Sequence, residues 1–170
     1  MIKITLFMAA SINGIIARDN GSEDFLSDVN WSTFVQLAEK KGCFVIGRKT
    51  YEKYKNNKVH SFEKIQAKKI VVSQSKLKVS ENWYLVRSVK EVLLITQSFG
   101  KKEIILTGGA SLNSSFAKAK VLKEVILNLN PVIVGKGKSI FDPKVFNLKL
   151  DLLKIKKLEG GIVQLCYKVK

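Results

Sequence analysis

Apolar positions recur along the chain with two periods, one of alternate residues and one of three to four, and the switches between them order the elements. "IKITLFMAA" near the start reads as a buried strand ending at Met8, Ala9 and Ala10. The following "SINGIIARDNGSED" is loop-like, with Asn13-Gly14 and Asn20-Gly21 as turn signals. Val29, Trp31, Phe34 and Val35 then give a helix an apolar face; the helix is expected from Asp28 to Lys41, with Ser27 as its N-cap and Gly42 as its stop. "CFVIG" is a short strand, and "RKTYEKY" begins another helix. "KKIVVS" (68–73) and "WYLV" (83–86) are strands, after which Ser88 and Glu91 form a capping box for the helix "VKEVLLITQSF", ended by Gly100.

"KEIILT" is a further strand, and it meets Gly108-Gly109 before the helix "ASLNSSFAKA". From "KEVILNLNPVIVG" onward strands dominate. "LDLLKIKKL" and "IVQLCYKVK", joined by Glu159-Gly160-Gly161, read as a closing antiparallel hairpin. Alternating strands and helices with an antiparallel end predict an α/β domain with a mixed sheet, one domain over residues 1–170. No repeat, low-complexity run or linker interrupts it.

Composition adds little to that fold but bears on partners. No apolar run approaches the ~20 residues that span a bilayer, and the apolar N-terminus runs straight into a strand, so neither membrane span nor signal peptide is expected. Cys43 and Cys166 sit apart in strand-like segments; they are expected as buried thiols of a reducing cytoplasm, with no metal-ligand spacing. The formal net charge is +16, from 27 lysines and three arginines against 14 acids. Such an excess can neutralise nucleic-acid phosphates. The lysines are spread along the chain, however, and sequence-specific readers lean on arginine forks. A solvated basic surface that favours anionic ligands is expected, with no specific nucleic-acid partner.

Three strand-to-helix junctions are placed to hold a ligand, because such junctions present backbone N–H groups. "VIGRKTYE" offers Gly47, Arg48, Lys49 and Thr50, which fit a phosphate or simply a turn and a basic helix. "LTGGASLNSSF" offers the flexible Gly108-Gly109 pair, and "VVSQS" offers Ser73, Gln74 and Ser75. Asp28 has two explanations. A carboxylate in a helix's first turn is favoured by ~0.3–1 kcal/mol. Alternatively, positions 28, 31, 32 and 35 share a face carrying Trp31 and Val35, so the acid faces a walled pocket where desolvation raises its pKa. His60, in "NNKVHSFEK", is expected in a surface loop.

The segments "MAASINGIIA", "FLSDVNW", "VIGRKTYE", "IVVSQS" and "LTGGASLNSSF", with the later "FDP" and "GGIVQLCYKVK", resemble the dihydrofolate reductase fold family in sequence and order. The resemblance implies a three-layer fold with a central mixed, mainly parallel sheet of about eight strands flanked by helices. It implies hydride transfer from NADPH to an imine-type double bond. Asp28 matches the family's catalytic pocket carboxylate, and Met8, Ala9, Trp31 and Ser32 the substrate-binding positions. Ala10, Asn13 and Gly14 match the strand end and the loop beside the nicotinamide. Gly47, Arg48, Lys49 and Thr50 match the segment gripping the cofactor phosphates, and Ser73, Gln74 and Ser75 the one beside the adenosine 2′-phosphate. Gly108, Gly109, Ala110, Ser111 and Leu112 match the run under the nicotinamide and pyrophosphate. Basic residues at the adenosine end argue for NADPH over NADH.

The chain departs from that pattern in three places. It lacks the Pro-Trp pair ahead of the acid, Ser32 stands where an aromatic four residues after the acid is usual, and Ala67 stands where an arginine holds the folate tail. "TGGASLNSSF" and "GGIVQLCYKV" are similar instead to the reductases of riboflavin biosynthesis, which reduce a ribosylamino-pyrimidine phosphate with NADPH on the same fold, usually as dimers. The resemblance therefore implies reduction of 7,8-dihydrofolate to tetrahydrofolate, with the riboflavin-pathway reaction as the alternative and a basic nucleic-acid-binding domain as a remote one. A pterin or pyrimidine substrate, a cytoplasmic monomer or homodimer, and no metal are expected.

Overall fold

The computed structural model describes residues 2–143 and 145–170. The first strand, β1, is Lys3–Ser11, followed by the short β2, Ile15–Ala17. Helix α1 spans Asp28–Lys41, strand β3 Cys43–Gly47 and helix α2 Arg48–Tyr54. Strands β4 (Lys68–Val72) and β5 (Trp83–Val86) precede helix α3 (Val89–Ser98), strand β6 (Glu103–Leu106) and helix α4 (Ala110–Lys118). Strand β7 is Leu122–Asn130, β8 Lys138–Ser139, β9 Leu150–Lys157 and β10 Val163–Val169.

Eight of these strands form one sheet in the order β5-β4-β3-β6-β1-β7-β10-β9, while β2 and β8 pair separately. The strands from β5 to β7 run parallel, and β10 and β9 are antiparallel to their neighbours. This is the mixed, mainly parallel sheet flanked by helices expected from the sequence. The short β2, inside the segment expected to be loop, and its partner β8 were not named from the sequence; two or three residues are too few to show a period.

Side-chain alternation along the central strands fills both faces. On one face Ile4, Leu6 and Met8 of β1 join Val45, Ile70 and Leu106 under α3 and α4, which contribute Val92, Leu112 and Phe116. On the other, Phe7, Phe44, Ile46, Val71 and Ile105 pack against Phe34 and Ala38 of α1 and Tyr51 of α2. That second layer is rich in rings: Phe34 meets Phe44 edge-on at 5.3 Å and Trp83 meets Phe44 edge-on at 5.6 Å.

Helix boundaries follow local chemistry. Ser27 Oγ accepts the Val29 N–H at 3.3 Å and opens α1, while Gly42, at φ 70°, closes it by donating to Ala38 O and Glu39 O. Ser88 Oγ accepts the Glu91 N–H at 3.2 Å, as a capping box requires. The return bond differs: the Glu91 carboxylate accepts from the Arg87 N–H at 3.0 Å, one residue before the cap. Cys43 is fully buried, and burial pushes its thiol up to about 12; Cys166 is only partly buried, a departure from expectation that follows from its place near the sheet edge beside β9. Among the described residues no helix is long and apolar enough to cross a membrane.

Candidate active site

The carboxyl ends of β1, β3, β4 and β6 open on one side of the sheet into a cleft of about 1160 Å³. That exceeds the ~300–1,000 Å³ of a single small-molecule pocket and suits two ligands side by side. The cleft has a polar end and an aromatic end. At the polar end stand Gly47, Arg48, Lys49 and Thr50, the Ser73–Ser75 turn, and the Gly109–Leu112 start of α4, so the three junctions singled out in the sequence converge there.

The convergence has a structural cause. Parallel neighbours β4, β3 and β6 end side by side, and the turns beyond them touch. The Gly47 N–H donates to Gly108 O at 2.8 Å, and Arg48 Nη1 donates to Ser75 Oγ at 2.6 Å. The Gly108-Gly109 peptide bond is cis, and Gly108 takes φ 82°, where a Cβ would also press on Met8 Sδ at 3.3 Å. Helix α4 starts at Gly109 without a side-chain cap, so its first N–H groups are free to meet an anion. A Cβ at Gly109 would find its nearest neighbour, Thr50 Oγ1, only at 3.9 Å, leaving an open cradle. Two cations, several hydroxyls and a free helix start fit the pyrophosphate and 2′-phosphate of a dinucleotide.

The aromatic end is lined by Phe7, Phe34 and Phe62, with Trp31, Tyr54 and His60 at its mouth and Met8 and Ala9 on its floor. Trp31 stacks near Tyr54 at 6.4 Å and lies 5.1 Å from the His60 ring. Glu23, from the loop over the cleft, accepts from Lys53 Nζ at 2.6 Å and from the Tyr54 hydroxyl. Burial first, and then the Glu23 charge, hold the Tyr54 phenol well above its ordinary value. The same loop is clasped to itself by Arg18 and Asp24 at 2.7 Å.

Asp28 does not face this cleft. Its side chain is 89% exposed and is not part of the lining, and its Oδ1 meets Nε2 of the lining residue His60 at 3.0 Å. The buried positions of α1 are Asn30, Phe34 and Ala38, a stripe of every fourth residue that leaves position 28 outside it. Asp28 thus keeps the helix-start role, and the walled-pocket expectation is corrected. Asn30, 6% exposed, lines the cleft instead, with Phe34 one turn further on. Ser32 remains the residue four after the acid, and the aromatic in the cleft is Phe34, four after Asn30.

Ser32 points outward and returns its hydroxyl to Val29 O at 3.0 Å. Ala10, Asn13, Gly14 and Gly108 also fall outside the lining. Ala10 is buried in β1, and Asn13 is committed to Val134, donating to its carbonyl at 2.8 Å and accepting from its N–H at 3.1 Å. His60, expected in a surface loop, lines the cleft, with its ring against Trp31 and its Nε2 at Asp28. Asn30 was missed because an asparagine two residues into a helix carries no sequence signal of burial; the signal available was Phe34, four residues on.

A family model described as the RibD C-terminal domain matches residues 2–164. The chain belongs to that family. The uncharacterized protein YwjB of Bacillus subtilis (strain 168) is 27% identical over 172 residues, covering 97% of each chain. Two solved structures share the fold. A pyrimidine reductase-like protein from Corynebacterium diphtheriae superposes with TM-score 0.80 at 15% identity, covering 99% of this chain and 92% of that one. A diaminohydroxyphosphoribosylaminopyrimidine deaminase/5-amino-6-(5-phosphoribosylamino)uracil reductase from Thermotoga maritima gives 0.75 at 16% identity over 99% of this chain and 57% of that one. The likeness to dihydrofolate reductase is one of fold; the family is the RibD C-terminal domain.

Proposed function

We propose that the protein is an NADPH-dependent reductase of a ribosylamino-pyrimidine phosphate, rather than of dihydrofolate. The observation that carries this reading is the exchange on α1: Asn30 occupies the cleft and Asp28 stands in solvent. A pterin reductase of the kind first expected needs a carboxylate against the ring to favour its protonation. A neutral amide gives no such assistance. Family membership supports the same choice, and so does the reductase named for the Thermotoga structure.

The residues divide the work between the two ends. Bound NADPH supplies the hydride. Arg48, Lys49, Thr50 and the Ser73–Ser75 turn hold its adenosine phosphates by charge and hydrogen bonding, and the free N–H groups at the start of α4 take the pyrophosphate. Gly109 keeps the backbone under the cofactor free of a side chain, and Gly108, behind it, lets the turn sit close against Met8. Met8 and Ala9 form the floor where the two ligands meet, and Phe7, Phe34 and Phe62 give the heterocycle an apolar wall. Trp31 closes that wall and, with the Glu23 loop, keeps water from the reacting atoms. Lys53 and His60, at the mouth, face the phosphorylated ribose.

Purified protein is tested for loss of NADPH absorbance with 5-amino-6-(5-phosphoribosylamino)uracil, beside dihydrofolate. Turnover of the pyrimidine and indifference to dihydrofolate are expected. Turnover of dihydrofolate alone would overturn the proposal.

A further inference from the structure

Behind the aromatic end lies a buried run of side-chain amides, and its direction is fixed. Asn30 Nδ2 donates to Ser27 O at 3.1 Å, and Asn130 Nδ2 donates to Ala10 O at 3.1 Å. A backbone carbonyl only accepts, so both amides are pinned in orientation. Asn130 Oδ1 then accepts from Asn30 Nδ2 at 2.8 Å, and Asn30 Oδ1 accepts from Asn128 Nδ2 at 3.1 Å. Asn128 Oδ1 accepts in turn from Gln164 Nε2 at 2.9 Å. Asn128, Asn130 and Gln164 are all buried.

Counting capacity at Asn30 decides what it can offer. Both N–H bonds of its amide are spent, on Ser27 O and Asn130 Oδ1, and one of the two lone pairs on Oδ1 is filled by Asn128. One acceptor site remains, on a residue that lines the cleft. Turning the amide over would set its oxygen against Ser27 O and Asn130 Oδ1, so the site cannot adapt to a ligand that brings an acceptor.

We propose that Asn30 is a specificity residue whose Oδ1 takes a ring N–H of a neutral pyrimidinedione, with Asn128 and Asn130 as the positioning residues that aim it. This rests on the reductase reading above. A neutral oxygen flanked by spent donors pairs with an uncharged imide-type N–H, and without a charge of its own it supplies none of the ion pairing that a carboxylate gives a protonated, amidinium-like edge. A ring whose N–H groups are blocked leaves the acceptor buried and unpaired, and such a site rejects it more strongly than a merely apolar wall would.

The test uses the full chain with NADPH, the pyrimidine phosphate as substrate, and uracil and 1,3-dimethyluracil as competitors. Uracil is expected to inhibit the unaltered protein about tenfold or more better than its dimethyl form. In Asn30→Ala that preference falls to near unity, the substrate KM rises about tenfold, kcat changes less, and NADPH affinity is unchanged. Should Asn30→Ala, which strips Asn128 Nδ2 of its acceptor, fail to fold, the uracil pair on the unaltered protein decides alone. Equal inhibition by the two, inhibition by neither, or an unchanged KM in a folded Asn30→Ala protein would overturn the proposal. Intact NADPH binding with no turnover of the pyrimidine phosphate would instead overturn the substrate reading, and the inference with it.

Discussion

The Asp28 carboxylate, itself outside the cleft lining, meets the imidazole of the cleft-lining His60 at 3.0 Å, while Asn30, two residues along the same helix, turns inward. A shift of two positions moves a side chain about 200° around a helix, so only one of the pair can reach the ligand. Asp28→Asn is therefore expected to leave kcat/KM within about threefold. It should cost ~0.3–1 kcal/mol in a urea melt, since an acid is lost from the first turn of α1. A hundredfold loss of turnover would show that Asp28 reaches the chemistry after all.

Arg48 and Ser75 meet at 2.6 Å across the ends of β3 and β4 and make one polar patch from two distant segments. Arg48→Ala should weaken NADPH binding about tenfold or more and leave NADH binding nearly unchanged, because a guanidinium fork matches the 2′-phosphate that only NADPH carries. Fluorescence titration with both cofactors measures the difference. Equal losses would place Arg48 on the pyrophosphate shared by the two.

Gly108 joins a positive φ to a close contact with Met8 on the cleft floor. Gly108→Ala is expected to destabilise the protein by at least about 1 kcal/mol, since an L-residue meets that steric cost in the left-handed region. NADPH affinity should fall with it, because any relief of the clash shifts Met8 or the Gly109 cradle. Urea unfolding and cofactor titration on the same sample measure both effects.

Most of the sheet was legible from residue patterns because its central strands are continuous apolar runs bounded by Gly or polar turns. Ser27, Gly42 and Ser88 marked helix ends by local chemistry that tertiary contacts do not override. The polar end of the site was legible for the same reason: its residues sit in strand-to-helix junctions, where topology alone brings them together. The aromatic end was not. Spacing sets Asp28 and Asn30 on opposite sides of α1 but not which of them faces the core, and the amide of Asn30 is held there by Asn128 and Asn130, about a hundred residues away on β7. His60 lines the cleft beside Trp31, a pairing of loop and helix without sequence signature.

Glu103 lies between Lys41 Nζ at 2.7 Å and Lys3 Nζ at 3.8 Å, and the Lys41 hydrogen bond holds its carboxyl below the ordinary range. A depressed folded value means that the stabilisation is fully present above the unfolded value, about 4.3, and is lost as pH falls through the folded one. Glu103→Gln should therefore have a lower urea midpoint than the unaltered protein at pH 6. The two should converge on acidification below about pH 4. Added salt should narrow the gap at pH 6, since the carboxylate is partly exposed.

The most direct measurement follows deuterium from NADPH carrying the label at both nicotinamide C4 positions into the product formed with 5-amino-6-(5-phosphoribosylamino)uracil. A cleft that seats both ligands on the Met8–Ala9 floor predicts one deuterium per molecule of reduced product, on the former ribosylamino carbon, read by mass spectrometry, with the label retained in water. Oxidation of NADPH that leaves the pyrimidine unlabelled, or label appearing only in tetrahydrofolate when dihydrofolate is supplied, would contradict it.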